Sequence, residues 1–342
     1  MKSVVYTQTG DPSVLRFVDR DVSDPGVGEV RVRIVVSGVN PTDWKSRRGS
    51  GDGQGFPFPE LTPNQDGSGV VDAVGEGVED LDVGDRVWVY LARHQRPTGT
   101  AQEYTNLPAT RVVRLPDDTS FDVGASLGVP ATTAHRALTV AEDGPDRLHP
   151  GALAGQVVLV AGGAGAVGHA AIQLARWAGA TVISTISSPA KATLAAAAGA
   201  HHVVNYRDED AAAAITRIAP DGVDVVVDVA IAANAALNVA IARSRTAVVS
   251  YADDGNAEVT LDIRQNMTKN VRYQFVLLYS MGDTALAAAV ADLTLALRDG
   301  ILPVGEDAGL PLHRFPLADA AAAHQAVEDG VVGKVLIDVS AA

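Results

Sequence analysis

Val157-Val158-Leu159-Val160-Ala161-Gly162-Gly163-Ala164-Gly165-Ala166-Val167-Gly168 decides how this chain folds. Its apolar start reads as a buried strand, its glycines as a turn, and the residues from Ala166 to about Trp177 as a helix. Gly163, Gly165 and Gly168 stand at G-x-G-x-x-G spacing. In that pattern one glycine permits the tight turn and the next lets the backbone approach a pyrophosphate. The third lets helix and strand pack closely, so that the helix N-terminus faces an anion. Set between a strand and a helix, the motif predicts a dinucleotide site lined by Gly163, Gly165, Ala166, Val167 and Gly168.

The end of the next apolar run selects the dinucleotide. An Asp or Glu about 20 residues on would hold a ribose 2′-hydroxyl. Here Thr181-Val182-Ile183-Ser184-Thr185-Ile186-Ser187-Ser188-Pro189-Ala190-Lys191 carries no carboxylate, and none appears until Asp208. Ser187, Ser188 and Lys191 can donate to a 2′-phosphate that an acid would repel. The expected cofactor is NADPH.

Outward from the motif, apolar runs alternate with helical stretches: Val157–Ala161, Thr181–Ile186, Val203–Asn205, Val223–Ala230, Thr246–Ser250 and Val271–Leu278. That alternation predicts a doubly wound parallel sheet, its strands buried on both faces. Before about residue 125 the pattern differs. Glu29–Val36 alternates as a half-buried strand, and Ser68–Val74, Arg86–Tyr90 and Ala101–Asn106 follow between glycine-rich turns, a mainly β unit. A helix at about Thr284–Arg298 and a β-like ending at Lys334–Val339 are expected to rejoin that first unit. The fold class is therefore α/β, with a second, mainly β domain.

A formal net charge of −14 disfavours nucleic acid and anionic membranes as partners. There is no cysteine, which excludes disulfides and thiolate chemistry. The first residues lack a secretory apolar run, and no stretch approaches the roughly 20 apolar residues of a membrane helix. A cytoplasmic protein is expected. Alanine runs such as Ala195–Ala198 read as helix filler.

The chain also carries Gly38-Val39-Asn40-Pro41-Thr42-Asp43-Trp44-Lys45, Asp66-Gly67-Ser68-Gly69-Val70-Val71, Val83-Gly84-Asp85-Arg86-Val87-Trp88 and Gly99-Thr100-Ala101-Gln102-Glu103-Tyr104. Further on come Val129-Pro130-Ala131-Thr132-Thr133-Ala134 and Ala198-Gly199-Ala200 with Val204-Asn205-Tyr206. With the glycine turn, these resemble the medium-chain dehydrogenase/reductase superfamily and, within it, the zinc-free quinone oxidoreductases. The resemblance implies a GroES-like domain formed by residues 1–127 and 279–342, and a Rossmann NADPH domain formed by residues 128–278. Lys191 and Tyr206 then look like 2′-phosphate contacts. Asn40 and Thr133 look like residues flanking the nicotinamide and its ribose, and Lys334 is counted with the cofactor contacts. Such proteins commonly form homodimers through the last Rossmann strand, here Val271–Leu278.

No metal is expected. Zinc-dependent relatives carry cysteine where Asn40 stands and Gly-His-Glu where Asn64-Gln65-Asp66 stands. Only Asp66 is left as a ligand, and one carboxylate cannot hold zinc. His94, His135, His169, His201 and His202 lack suitable spacing. The expected reaction is hydride transfer from NADPH to a small-molecule quinone. Lys45, where many quinone oxidoreductases have tyrosine, brings in an alternative: reduction of the C=C bond of an enone or enoyl substrate. Lys45 and Asn40 are the candidate catalytic residues, with Tyr90, Tyr251 and Tyr279 as uncommitted proton donors. A further alternative, from another class, is an NADPH-binding sensor or crystallin-like protein with little turnover. Loops at 47–58 and 90–98 are expected to line the substrate region.

Overall fold

The structure, a computed structural model, describes residues 1–49, 57–253, 255 and 258–341. The loop expected at 47–58 lies largely outside the described residues. The chain divides into two units, Met1–Val129 with Leu312–Ala342, and Pro130–Pro311.

The first unit opens with an antiparallel pair, β1 (Lys2–Val5) and β2 (Arg16–Asp19). β3 (Glu29–Val39) follows, then α1 (Pro41–Arg48), β4 (Asp66–Val74), β5 (Arg86–Val89), β6 (Tyr104–Pro108), β7 (Val112–Arg114) and α2 (Phe121–Gly124). The alternation in β3 works as a strand of period two should. Val30, Val32 and Ile34 are fully buried, while Glu29, Arg31 and Arg33 stay half-buried on the other face.

The division between the units falls in the first turn of α3 (Gly128–Leu138). The second unit then alternates: β8 (Val157–Ala161), α4 (Ala166–Trp177), β9 (Thr181–Ile186), α5 (Pro189–Ala197), β10 (His202–Asn205), α6 (Ala211–Ile218), β11 (Val223–Asp228), α7 (Ile231–Ile241), β12 (Ala242–Ser250), α8 (Ile263–Lys269), β13 (Arg272–Phe275) and α9 (Asp283–Arg298). Its sheet runs β10-β9-β8-β11-β12-β13, and every pairing is parallel. Helices cover both faces, so Val158, Leu159, Val160, Val226 and Val248 are all fully buried. Strand order reverses between β8 and β11, where ligands bind in such sheets.

The last stretch, β14 (Leu312–Pro316), α10 (Ala320–Glu328) and β15 (Lys334–Asp338), belongs to the first unit. β15 lies antiparallel to β3, with Leu336 opposite Gly38, and completes a sheet ordered β14-β15-β3-β4-β5-β7, with β6 also on β3.

Several boundaries differ from those expected from the sequence, three of them with consequences for the packing. Residues 279–311 stay with the second unit. The cause is α9, whose Ala289, Leu293 and Ala296 are fully buried there. Its Asp292 carboxylate accepts from the His135 ring (2.7 Å), the Arg147 guanidinium and the Leu148 N–H (2.7 Å). Ala101 and Gln102 do not open β6, because the first strand captures them: Val4 N–H donates to Ala101 O (2.9 Å) and Ser3 bridges to Gln102. The strand expected at Val271–Leu278 is shorter. Phe275 ends it, and Phe275 and Leu277 are exposed at the edge of the sheet.

Candidate functional site

In the second unit, the chain leaves β8 through Gly162, whose φ of +74° is the left-handed conformation that suits glycine. Gly165 N–H then closes the turn on Gly162 O at 3.0 Å. A Cβ on Gly163 would lie 2.1 Å from Ser184 Oγ, and one on Gly168 would lie 2.4 Å from Gly162 O. These two glycines therefore allow close packing. Gly165 is different, since a Cβ there would meet nothing nearer than 3.5 Å, and the residue is exposed. It begins α4 without a side-chain cap, and Ala166 and Val167 behind it are only half-buried. First-turn amides have no acceptor within their helix, so this end presents N–H groups and the positive end of the helix dipole to an anion. The sequence reading gave the tight turn to the G-x-G-x-x-G glycines; the left-handed residue is Gly162, one position ahead of them.

The neighbouring strand ends bring the other expected residues together. Ser188 caps α5, its Oγ accepting from Lys191 N–H at 3.4 Å. Lys191 Nζ donates to Ser187 Oγ at 3.3 Å. Tyr206 N–H reaches Ile186 O at 3.2 Å, and its side chain is 51% exposed beside them. The nearest carboxylate in sequence, Asp208, is turned onto Asn205. An ammonium, two hydroxyls and a phenol gathered in this way could hold a phosphate.

The first unit carries a buried polar cluster around Asn40. Asn40 precedes α1, and the Asp43 carboxylate reaches back to its backbone N–H at 2.8 Å. Its own amide turns inward. Nδ2 donates to Asp66 Oδ2 at 2.6 Å, and Oδ1 accepts from Lys334 Nζ at 2.6 Å. Val129 N–H donates to both Asp66 oxygens at 2.9 Å. Space for these groups is written into two glycines. A Cβ on Gly128 would sit 2.1 Å from Asp66 Oδ1, and one on Gly38 would sit 2.1 Å from Ala125 O and 3.2 Å from Lys334 Nζ. Burial pushes Asp66 up and Lys334 down from their ordinary pKa ranges, and each one's charge opposes the other's shift. Burial, with the charge of Asp66, raises Asp43 to about 7. Among the described residues, Asp43 Oδ1 has no hydrogen-bond partner.

The cluster extends as a relay of hydrogen bonds. His324 Nε2 lies 2.9 Å from Asn64 Oδ1, Asn64 Nδ2 donates to Ser37 Oγ (2.9 Å), and Thr100 Oγ1 donates to Asp66 O (2.6 Å). Thr100 thereby has its proton committed, so Ser37 Oγ donates to Thr100 Oγ1 at 2.7 Å. Burial lowers His324 to about 3, so its ring is neutral and donates from Nε2. Below the cluster, fully buried Arg47 ties α1 to α10 through Glu328 at 2.6 Å.

Lys45, on the same helix as Asp43, is exposed, with its ammonium 6.0 Å from the Trp44 ring centre. Thr133 is buried on α3. Of the tyrosines, Tyr90 donates to Thr110 O at 2.8 Å, and burial raises Tyr251 well above the usual phenol range. Sequence reasoning weighed Asp66 only as a leftover metal ligand and missed its grip on Asn40. The available signal was Lys334 itself, a charge placed directly before the apolar Val335-Leu336-Ile337.

Known proteins resemble the chain along its whole length. Residues 26–117 match the family model described as alcohol dehydrogenase GroES-like domain, and residues 166–294 match the one described as zinc-binding dehydrogenase. The chain is 30% identical over 343 residues to the quinone oxidoreductase of Lama guanicoe, covering 98% of this chain and 97% of the relative. It is 33% identical over 231 residues to the 2-haloacrylate reductase of a Burkholderia species, covering 67% and 66%. The solved structure of Escherichia coli quinone oxidoreductase complexed with NADPH superposes with a TM-score of 0.79 at 25% identity, covering 99% and 100%.

Proposed function

Because the chain belongs to the quinone oxidoreductase family of the medium-chain dehydrogenase/reductase superfamily, we propose that it transfers hydride from NADPH to a quinone without a metal ion. The observation that carries this reading is the pairing of an open, uncapped turn at Gly165 with Lys191, Ser187 and Tyr206 at the neighbouring strand ends. Gly163, Gly165, Ala166, Val167 and Gly168 would hold the pyrophosphate. Ser187, Ser188, Lys191 and Tyr206 would hold the 2′-phosphate, the feature that separates NADPH from NADH. Thr133 joins them at the nicotinamide ribose.

Asn40 is the proposed polar contact at the reacting ring. With Nδ2 on Asp66 and Oδ1 on Lys334, its amide cannot flip or swing, and one Nδ2–H remains to donate to a ligand oxygen. A donor fixed before the reaction costs no reorganisation when charge develops. Lys334 and Asp66 are thus positioning residues, and Lys334 acts on the cofactor side through Asn40. The proton that balances hydride comes from water.

One matched family is described as zinc-binding, yet the donor set here is already engaged. Both Asp66 oxygens are already engaged, and the Lys334 ammonium lies 3.9 Å away. Among the described residues no group of three or more His, Asp or Glu side chains could hold a metal. The residues present do not fit zinc, whose catalytic sites need three protein ligands.

Likeness to a 2-haloacrylate reductase, together with Lys45, favours a second reading: reduction of a C=C bond conjugated to a carbonyl. There the Lys45 ammonium would stabilise a developing enolate. A homodimer and a cytoplasmic setting complete the proposal. The exposed Phe275 and Leu277 at the β13 edge support the first. NADPH oxidation followed by absorbance with 1,4-benzoquinone, 9,10-phenanthrenequinone and an alkenal tests these readings. Turnover fastest with a quinone is expected; tight NADPH binding without oxidation by any acceptor would leave a sensor.

A further inference from the structure

Arg93 carries a charge that no described residue pairs with directly. The residue is half-buried, yet its guanidinium forms no hydrogen bond or ion pair with any described residue. Other cations of the Asn40 cluster are engaged: Arg47 by Glu328, and Lys334 by Asn40 and Asp66.

The surroundings of Arg93 set it apart from a surface arginine. Its N–H donates to Gln65 Oε1 at 3.1 Å, and Ala92 N–H donates to Gln65 O at 3.0 Å. Gln65 lies between Asn64 and Asp66, both members of the cluster. The positive charge of Arg93 is felt at Asp43, Tyr6 and His324, which come from three separate elements, so it lies within electrostatic reach of the cluster. The backbone that places it is strained. Asn64, Leu91 and Gln95 all adopt left-handed φ values of 77°, 52° and 59°. Non-glycine residues pay for that conformation, and it is typically kept at ligand clamps.

We propose that Arg93 receives a carboxylate carried by the acceptor substrate, so that the chain prefers anionic enones or quinones to neutral ones. This rests on the reading above that the acceptor is reduced beside Asn40. A guanidinium matches a carboxylate in two parallel hydrogen bonds. Because the net charge of −14 repels anions at long range, their capture needs such a local cation.

The test uses trans-4-oxopent-2-enoate and its methyl ester, which share one reacting enone and differ in charge. In each, hydride from NADPH adds to one alkene carbon and a proton from water to the other. The wild-type protein should favour the acid in kcat/KM. Arg93→Gln should lower the acid-to-ester ratio by ~10- to 100-fold, and Arg93→Lys by less, since lysine keeps the charge but loses the fork. An unchanged ratio in Arg93→Gln overturns the proposal. So does a raised KM for NADPH with both acceptors falling together, which would give Arg93 to a cofactor phosphate. Should Arg93→Gln not fold, the wild type still decides: an ester used as well as the acid, with no competitive inhibition by 4-oxopentanoate, overturns it. No NADPH oxidation with acid, ester or 1,4-benzoquinone would sink the reductase reading, and the proposal with it.

Discussion

Lys334 Nζ donates to Asn40 Oδ1 at 2.6 Å, joining two residues 294 positions apart in the chain. Through that bond and the one from Asn40 to Asp66, a lysine on one strand fixes the amide that begins a helix. Replacing Lys334 with Met keeps the length and removes the charge. Asp66 is then left buried without its cation, which should cost about 3–5 kcal/mol and depress kcat more than it raises KM. Thermal melts and kinetics of Lys334→Met, alone and with Asp66→Asn, check this. Stability should partly return in the double variant, and no recovery would contradict the pairing.

Lys191→Ala should raise the KM for NADPH by ~10- to 100-fold, as expected for a lost charge-assisted bond to phosphate, and that for NADH by far less. Equal losses for both cofactors would remove Lys191 from the 2′-phosphate.

Asp43 titrates at about 7 in the folded chain, against an ordinary value of 3.8. Between those values the folded state binds more protons than the unfolded one, so stability falls as pH rises from about 4 to about 7 and then levels. Asp43→Asn should flatten that slope. Melting temperatures at pH 5 and pH 8 for both proteins give the comparison; an equal slope in the variant would assign the effect elsewhere.

Asp292 shows the opposite sign. Burial disfavours its charge, but hydrogen bonds from His135, Arg147 and Leu148 N–H prevail and hold it at about 2. Its contribution is complete above about pH 4 and is lost as pH falls toward 2. Asp292→Asn should destabilise the second unit by about 2 kcal/mol, and denaturant melts at pH 7 and pH 3 should show the difference shrinking in acid.

Reductase activity should survive prolonged dialysis against EDTA. Elemental analysis that found stoichiometric zinc, with activity lost on its removal, would contradict the metal-free reading.

Much of this molecule was legible because its signals are local. The glycine turn and the apolar runs of the second unit occupy short windows, and the doubly wound sheet follows from them. Other features depend on partners far away in sequence. Alanine-rich α9 carries no mark of which unit it packs against; that is settled by the grip of His135 and Arg147 on Asp292. Likewise Ala101 and Gln102 read as strand, but nothing nearby announces that residues 3 and 4 will take them. Asn40 stood out in its motif, whereas its two holders, Asp66 and Lys334, reach it only through the antiparallel ladder of the first sheet.

The return of β15 to β3 also orders events in time. Synthesis runs from the N-terminus, and domains generally fold as units as they emerge. Residues 130–311 form a contiguous unit and can close as soon as they are made, whereas residues 1–129 must wait for residues 312–341. Until Lys334 arrives, Asp66 has no ammonium beside it and β3 has an open edge. A nascent chain therefore acquires its glycine turn first and the setting of Asn40 last.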